Sequence, residues 1–569
     1  MFCQSILKYK IYFKKCKKIS TKQILCSIIG ARKCKKNEGV NLKHYKYKEY
    51  IVNVLPCIYY GIICGSVTGA FIFLFKLAAN KVTEWSQSIY AAANGNWIYV
   101  ALLFLALIAF ALLMYAIHRI APEIKGGGIP RSEGVLRGVL SFRWFRTLFG
   151  TFFCSMVSFL CGLPLGSEGP AVLMGTSIGK MCGNISRNKT TWNRYIMTGG
   201  AGAGFAVATG APLAGILFAL EEIHKRFTPM LVLTVSVSVV SATYVNQLLC
   251  QIFGISASLF HIEEFANFEL SHIGYLLLLG LLVAIAVGLF DSSISLFARF
   301  AAKFSRFFTA PVKLVFVFLV TGILAFVFGD ALYSGHHTIE HVMENDKTVW
   351  FLVALFAIRL LMMLFVTDSG VTGGIFIPTL AIGAAFSALC AKLLVYMGMD
   401  SELFPAVVFL GMCAFIGGTL RAPLTAAVLF IELTGQYTNL LFVALVIFTV
   451  TFITEMLNRT PFYDYALEKM EHAQNQGRQP IIACFEMKVS HNSFVVGKAV
   501  RDIMWPSASV VVSVTRADET NKDMDNDGEK KLYVGDTLVL RARFFDEEEI
   551  RKMLVGLVGT EHEIKRTEL

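Results

Sequence analysis

The chain has 569 residues, 55% of them hydrophobic and only 16% charged, with a mean hydropathy of +0.60. That composition excludes a soluble enzyme and reads as a polytopic α-helical membrane protein with room for one further small domain. The net charge of +12 would suggest a nucleic-acid partner, but residues 1–50 alone carry fourteen Lys and Arg against Glu38 and Glu49, and the remainder balances at 38 against 38.

Residues 1–50 are therefore expected to form a basic cytoplasmic tail lying on anionic lipid, with no nucleic-acid role. Lysines run through its apolar positions and no clean hydrophobic core precedes a small-residue cleavage site, so no removable signal peptide is expected. The thirteen cysteines are scattered, many within apolar segments such as Cys154, Cys161 and Cys413, and no C-x-x-C occurs. They read as small reduced hydrophobes.

Apolar runs at about 51–79 and 97–117 have spanning length. From about 146 to 457 the segments become uneven: 146–165, 170–183, 196–222, 229–254, 273–300, 311–329, 349–366, 375–397, 404–418, 422–434 and 438–457, several of them too short to span. Glycine and proline interrupt the pattern at Gly126–Pro130, Gly166–Pro170 and Gly373–Pro378. Irregular backbone at membrane depth is tolerated only where protein or a wet cavity satisfies it, so broken helices point to a binding site near the midplane.

Within the second break, Glu168 stands between glycines and just before Pro170, at the first turn of a membrane-embedded helix. Unpaired N–H groups and the helix dipole make such an end an anion site, so the carboxylate and a dissolved anion compete for one place. In a soluble protein this would be a capping acid; at membrane depth an ionisable group is functional by default. Three glycines at Gly126, Gly127 and Gly128 allow further backbone amides to approach the same anion.

An internal repeat separates structure from function. Residues 211–222 align without gaps on 422–433, and 168–175 on 376–383. Pro170 pairs with Pro378, so the helix start is a shared device, whereas Glu168 pairs with Phe376. Glu221 pairs with Glu432, which suggests a structural role, while Glu222 pairs with Leu433 and needs another reason.

The three ordered breaks GGGIP, GSEGP and GGIFIP, with APLAGILFALEE between them and Tyr463-Asp464-Tyr465 after the last helix, resemble the CLC family of chloride channels and proton-coupled anion transporters over roughly residues 51–470. The resemblance implies a homodimer with one anion pathway per subunit, each built from an inverted repeat with broken helices. It implies that Glu168 is the external gating glutamate and Glu222 the internal glutamate of the proton route. Backbone amides of Ile375 and Phe376, with Gly127, Gly128 and Ile129 of the first break, would hold the central anion, and the Tyr463 hydroxyl would close its inner side.

Two positions depart from the pattern. Gly127 stands where chloride-selective members resemble one another in having serine, which leaves the preferred anion open between chloride, nitrate and fluoride. Ser167 stands where many relatives carry a basic residue, so weaker attraction at the outer mouth is expected. A competing site, His336, His337, Glu340 and His341, offers an i, i+4 histidine pair for zinc, but a polar loop entering the next membrane segment is the favoured reading, and no metal or cofactor is assigned.

Residues 471–480 read as a polar linker, and residues 481–569 as a small α+β cytoplasmic domain with strands in 481–489, 509–517 and 531–544 and a closing helix near 547–557. Asp523, Asp525, Asp527 and Gly528 have calcium-loop spacing, but no acid follows at the twelfth position, and a solvated hairpin is expected. Val496–Ile503 and Leu532–Leu540 resemble the TrkA-C regulatory subdomain, which implies an unidentified ligand and a prokaryotic source. The expected function is chloride/proton antiport in a plasma membrane, gated by a protonatable glutamate. The alternatives are a passive voltage- or pH-gated chloride channel, a fluoride-preferring antiporter, or a ligand-responsive sensor.

Overall fold

The structure is a computed structural model that describes residues 42–185, 190–255, 265–304, 308–475, 479–491, 493–506, 509–516, 528–559 and 564–567. Residues 1–41 of the basic tail and the calcium-like spacing at 523–527 lie outside the described residues.

Among the described residues eight helices are long and apolar enough to cross a membrane. The first, α1 (Leu42–Ala93), runs well beyond the expected end at residue 79, because helix propensity continues through the polar residues after the apolar run stops. It is followed by α2 (Trp97–Ile120), the short α3 (Ile129–Arg137), α4 (Trp144–Leu160), α5 (Glu168–Ile185) and α6 (Thr190–Thr209). The segment expected as one piece at 196–222 is broken: α6 stops at Thr209, Gly210 turns with φ +72°, and α7 (Pro212–Phe218) starts anew. A residue before proline is driven out of the helical region, and only a left-handed turn ahead of it redirects the chain this sharply.

The second half repeats the device. After α8 (Pro229–Phe253), α9 (Ile273–Lys303), α10 (Ala310–Val327), α11 (His336–Met343), α12 (Val349–Ser369) and α13 (Phe376–Tyr396), helix α14 (Phe404–Leu420) ends at Arg421 with φ +60°, and α15 (Pro423–Thr434) follows. Arg421 is the counterpart of Gly210, and as a non-glycine it is strained there. Its guanidinium offsets that by donating to the carbonyls of Gly418 and, at 3.0 Å, Thr454, with Asp291 at 3.7 Å. Helices α13 and α14 are 78% and 94% buried over their most apolar windows against 17% for α2, so the former pair forms the centre and α2 faces lipid.

The inverted relation between halves is visible in how α7 and α15 cap each other. Glu432, near the end of α15, accepts from the backbone N–H groups of Leu213 and Ala214 at 2.7 and 2.8 Å. Glu221, just beyond α7, accepts from Leu424 and Thr425 at 3.1 and 2.7 Å. Each carboxylate thus sits at the positive end of the other helix, which only an antiparallel pair permits. The structural role expected for Glu221 is this one. The repeat then diverges: α15 is continuous, whereas α7 passes into a wider π turn over Ala219–His224 that contains Glu222.

Helices α16 (Leu440–Met456) and α17 (Phe462–Gln474) complete the membrane part. The latter runs four residues into the stretch expected to be a linker. Beyond it lies a four-stranded antiparallel sheet in the order β2-β3-β1-β4, with β1 (Ile481–Lys488), β2 (Ser509–Thr515), β3 (Thr537–Phe544) and β4 (Ile564–Thr567), packed against α18 (Glu547–Val558). Alternation along β1 and β3 buries Phe485, Met487, Leu538, Leu540 and Ala542 against Ile550, Leu554 and Leu557 of α18. The sequence pattern did not show β4, whose Ile-Lys-Arg-Thr carries no alternation, and the strand expected to begin at Lys531 begins at Thr537, after an isolated bridge at Lys531 and a turn at Val534 and Gly535.

Candidate functional site

Three glycine-rich breaks cross backbone to backbone at the centre of the membrane domain. Gly166 and Gly374 exchange both backbone hydrogen bonds, at 2.7 and 2.8 Å. A Cβ on Gly169 would overlap the Gly127 carbonyl oxygen and come within 2.8 Å of Gly374 Cα, and one on Gly128 would overlap the Gly169 carbonyl oxygen. Only glycine allows this approach. The crossing brings the first turns of α3, α5 and α13 together, and with them Gly127, Gly128, Ile129, Glu168, Ile375 and Phe376.

Side chains outside those motifs fix the loops. The buried His118 ring of α2 shares a 2.8 Å hydrogen bond with the Thr372 hydroxyl, which donates to Ile124 O at 2.9 Å, and Ser158 donates to Thr372 O at 2.6 Å. Phe376 packs edge-on to Phe205 at 5.0 Å, and Phe205 stacks on Phe218 at 4.1 Å. The three rings thus link the start of α13 to the residue just before the π turn. Ile375 fills the space beside Gly127, where a Cβ would stand 3.2 Å from its side chain. A serine there would need Ile375 to give way, so the glycine and the isoleucine suit each other.

Glu168 opens α5 and is fully buried; the Ser167 hydroxyl donates to its Oε1 at 3.1 Å, while Oε2 has no hydrogen-bond partner. Ser167 lines a vestibule of about 790 Å³ on the face away from the sheet domain. A second vestibule of about 800 Å³, on the face that carries the sheet domain, reaches Gly127 and Ile375. The crossing therefore divides two water-accessible spaces, with the Glu168 carboxylate on the dividing line. The basic residue absent at position 167 has a neighbour in its place: Lys76, in the middle of apolar α1, donates to Val207 O at 3.2 Å and its charge reaches Glu168. An ionisable group inside a spanning run is the signal that could have found it.

Tyr463, at the start of α17, is 1% exposed, and the carboxylates whose fields reach its hydroxyl are Glu222, Glu168 and Glu133. Glu222 itself is buried in the π turn, with Oε1 lacking a hydrogen-bond partner. It borders a charged cluster that sequence reasoning did not assemble: Glu133 meets Arg137 at 2.5 Å and Lys225 at 3.6 Å, and Lys225 meets Asp464 at 2.8 Å. These groups come from three elements far apart in sequence. The histidines divide differently from a zinc pair, since His341 faces Asp330 at 3.3 Å and His337 faces Glu340 at 3.7 Å. No group of three metal-ligating side chains occurs among the described residues.

Comparison with known proteins gives the same architecture a family. The chain is 31% identical over 428 residues to the H(+)/Cl(−) exchange transporter ClcA of Vibrio cholerae serotype O1, covering 74% of this chain and 90% of that protein. It is 30% identical over 443 residues to ClcA of Yersinia pestis bv. Antiqua, with 74% and 90% coverage. Among solved structures, a slow cyanobacterial Cl−/H+ antiporter superposes with a TM-score of 0.67 at 29% identity over 74% of this chain and 99% of that one. A CLC-type fluoride/proton antiporter at 21% identity shares the fold, with a TM-score of 0.59 over 72% and 97%. The family described as voltage gated chloride channel matches residues 106–455, and the chain belongs to that family, the CLC proteins.

Proposed function

We propose that this protein exchanges chloride for protons across a membrane, with Glu168 as the gate that both ions share. The observation that carries the reading is the pair of vestibules ending at opposite sides of one crossing of helix starts, with a buried carboxylate between them. Ionised, Glu168 occupies the positive helix ends in place of an anion; protonated, it is neutral and leaves. Binding of one ion is thereby linked to binding of the other. Gly127, Gly128, Ile129, Ile375 and Phe376 supply the amides around the anion, Tyr463 closes the side toward the sheet domain, and Glu222 passes the proton. The relatives' exchange activity supports the same assignment.

The protein works as a homodimer in a plasma membrane, with the basic N-terminal tail and the C-terminal domain in the cytoplasm. The capped α7–α15 pair supports the dimer, since Leu213 and Leu424 stand 56% and 42% exposed on it. The test is reconstitution in liposomes with a pH dye and an imposed chloride gradient, repeated with nitrate and fluoride. Uphill proton movement is expected with chloride. Anion flux without protons would make this a channel, and proton exchange with fluoride alone would make it a fluoride antiporter.

A regulatory reading of the C-terminal domain is favoured by Arg194. Its Nε donates to Leu136 O at 2.8 Å, Nη2 donates to the same carbonyl, and Nη1 donates to Trp505 O at 3.1 Å. Leu136 lies in the last turn of α3, the helix whose first turn holds the candidate anion site, so movement of the domain reaches that site through nine residues. Arg194→Met is expected to change chloride flux on the order of fivefold or more, and deletion of 481–569 to reproduce the change. Unaltered flux in both would remove the regulatory reading.

A further inference from the structure

Phe297 and Phe300 of α9, Phe316 of α10 and Phe365 of α12 line a cavity of about 180 Å³. Phe365 joins the rings, edge-on to Phe297 at 5.3 Å and to Phe316 at 5.2 Å. Phe300 is 56% exposed on a spanning helix, so the cavity opens toward lipid. Asp368, one turn beyond Phe365 on the same helix face, completes the lining with Lys313 of α10, which meets it at 2.6 Å. Lys469 of α17 meets the same carboxylate at 3.1 Å. Among the described residues these three charges pair only with one another, which leaves one cation in excess. Asp368 and Lys469 also line the vestibule on the sheet-domain face, so the charged end of the cavity lies toward that membrane surface. The flanking sequence is basic: between Asp291 and Asp330 stand Arg299, Lys303, Arg306 and Lys313, and no acidic residue.

Water suits this cavity poorly, because it needs several polar partners and the two polar side chains of the lining already engage each other. An acyl chain suits it, and the attached headgroup then lies at the lysines, where the excess charge and the basic flank favour an anionic one. We propose that the cavity binds an anionic phospholipid, with one acyl chain among the phenylalanines and the phosphate against Lys313 and Lys469, and that its occupancy tunes transport. The link to the helix crossing is short. Gly370, two residues beyond Asp368, accepts at its carbonyl from the Gly126 N–H at 3.1 Å, and Gly126 opens the first of the three crossing breaks. A bound lipid holds the end of α12 and with it that hydrogen bond. Lipid binding stands by itself, whereas its effect on flux rests on the anion-transport reading.

Phe300→Trp places an indole at the mouth of the cavity in the full chain, reconstituted in phosphatidylcholine vesicles, and the unsubstituted protein supplies the background of the native tryptophans. Phosphatidylglycerol with brominated acyl chains is expected to quench the added fluorescence at about fivefold lower mole fraction than brominated phosphatidylcholine, the preference that one lysine at a membrane surface supplies. Lys313→Gln and Lys469→Gln in that background should each reduce the difference. Ala301→Phe, which fills the cavity from its wall, should remove it. Chloride flux through the unsubstituted protein should differ about fivefold between vesicles with and without phosphatidylglycerol, and Ala301→Phe should make the two alike. Equal quenching by the two lipids, or a preference untouched by both lysine variants, overturns the site. A lipid dependence of flux that survives Ala301→Phe comes from the surface charge of the vesicle and overturns the tuning. A quenching preference in a protein that moves no anion overturns the transport reading and leaves the lipid site standing.

Discussion

Glu168→Ala should transport chloride without protons. In liposomes, chloride-driven proton uptake is expected to fall by about a hundredfold or more, the scale on which a positioned proton carrier acts, while chloride flux persists. The flux should also lose its dependence on pH at the face away from the sheet domain. With the carboxyl present, lowering that pH protonates Glu168, removes its charge from the helix ends and frees the place for an anion, so flux rises as pH falls. With alanine no group at that position titrates and the profile flattens. The environment makes the effect large: the carboxylate is fully buried and accepts one side-chain hydrogen bond, from Ser167 at 3.1 Å. Glu168→Gln should behave like a permanently protonated gate and give the same flat profile. Proton coupling that survives either change would mean the shared gate is elsewhere.

Much of this architecture could be read from residues that do one physical job. Gly166–Pro170 and Gly373–Pro378 announced helix starts at membrane depth because proline begins a helix and glycine permits close approach, and both starts are where the spacing put them. The offset pairing of Glu221 with Glu432 foretold a structural role, realised as reciprocal capping between α7 and α15. Hydropathy missed the break at Gly210 because the flanks are equally apolar and a single left-handed residue does not change a window average. It missed the π turn around Glu222 because backbone winding leaves no mark in composition. No spacing joins Glu133, Arg137, Lys225 and Asp464 in the sequence, since only the fold gathers α3, the end of the π turn and α17. Lys76 was legible as a cation inside an apolar span, yet its relation to Glu168 required the packing of α1 against α6.

Glu222→Gln should abolish proton movement and spare the anion. The side chain is 1% exposed and sits in the π turn that follows Phe218, whose ring packs with Phe205 and Phe376. Chloride flux is therefore expected to stay within about twofold while proton flux drops about a hundredfold, because glutamine keeps the shape and loses the exchangeable acid. The cluster of Glu133, Arg137, Lys225 and Asp464 gives this position a polar path toward the sheet-domain face, which suits a residue that receives protons there and passes them past Tyr463 toward Glu168. The neighbouring carboxylate is the control. Glu221→Gln weakens the cap on α15 and should lower stability by about 1 kcal/mol, seen as a reduced melting temperature in detergent, with the proton-to-chloride ratio intact. If Glu222→Gln still drove protons uphill while Glu221→Gln did not, the proton route would run through the capped α7–α15 seam, and the charged cluster would be scaffolding.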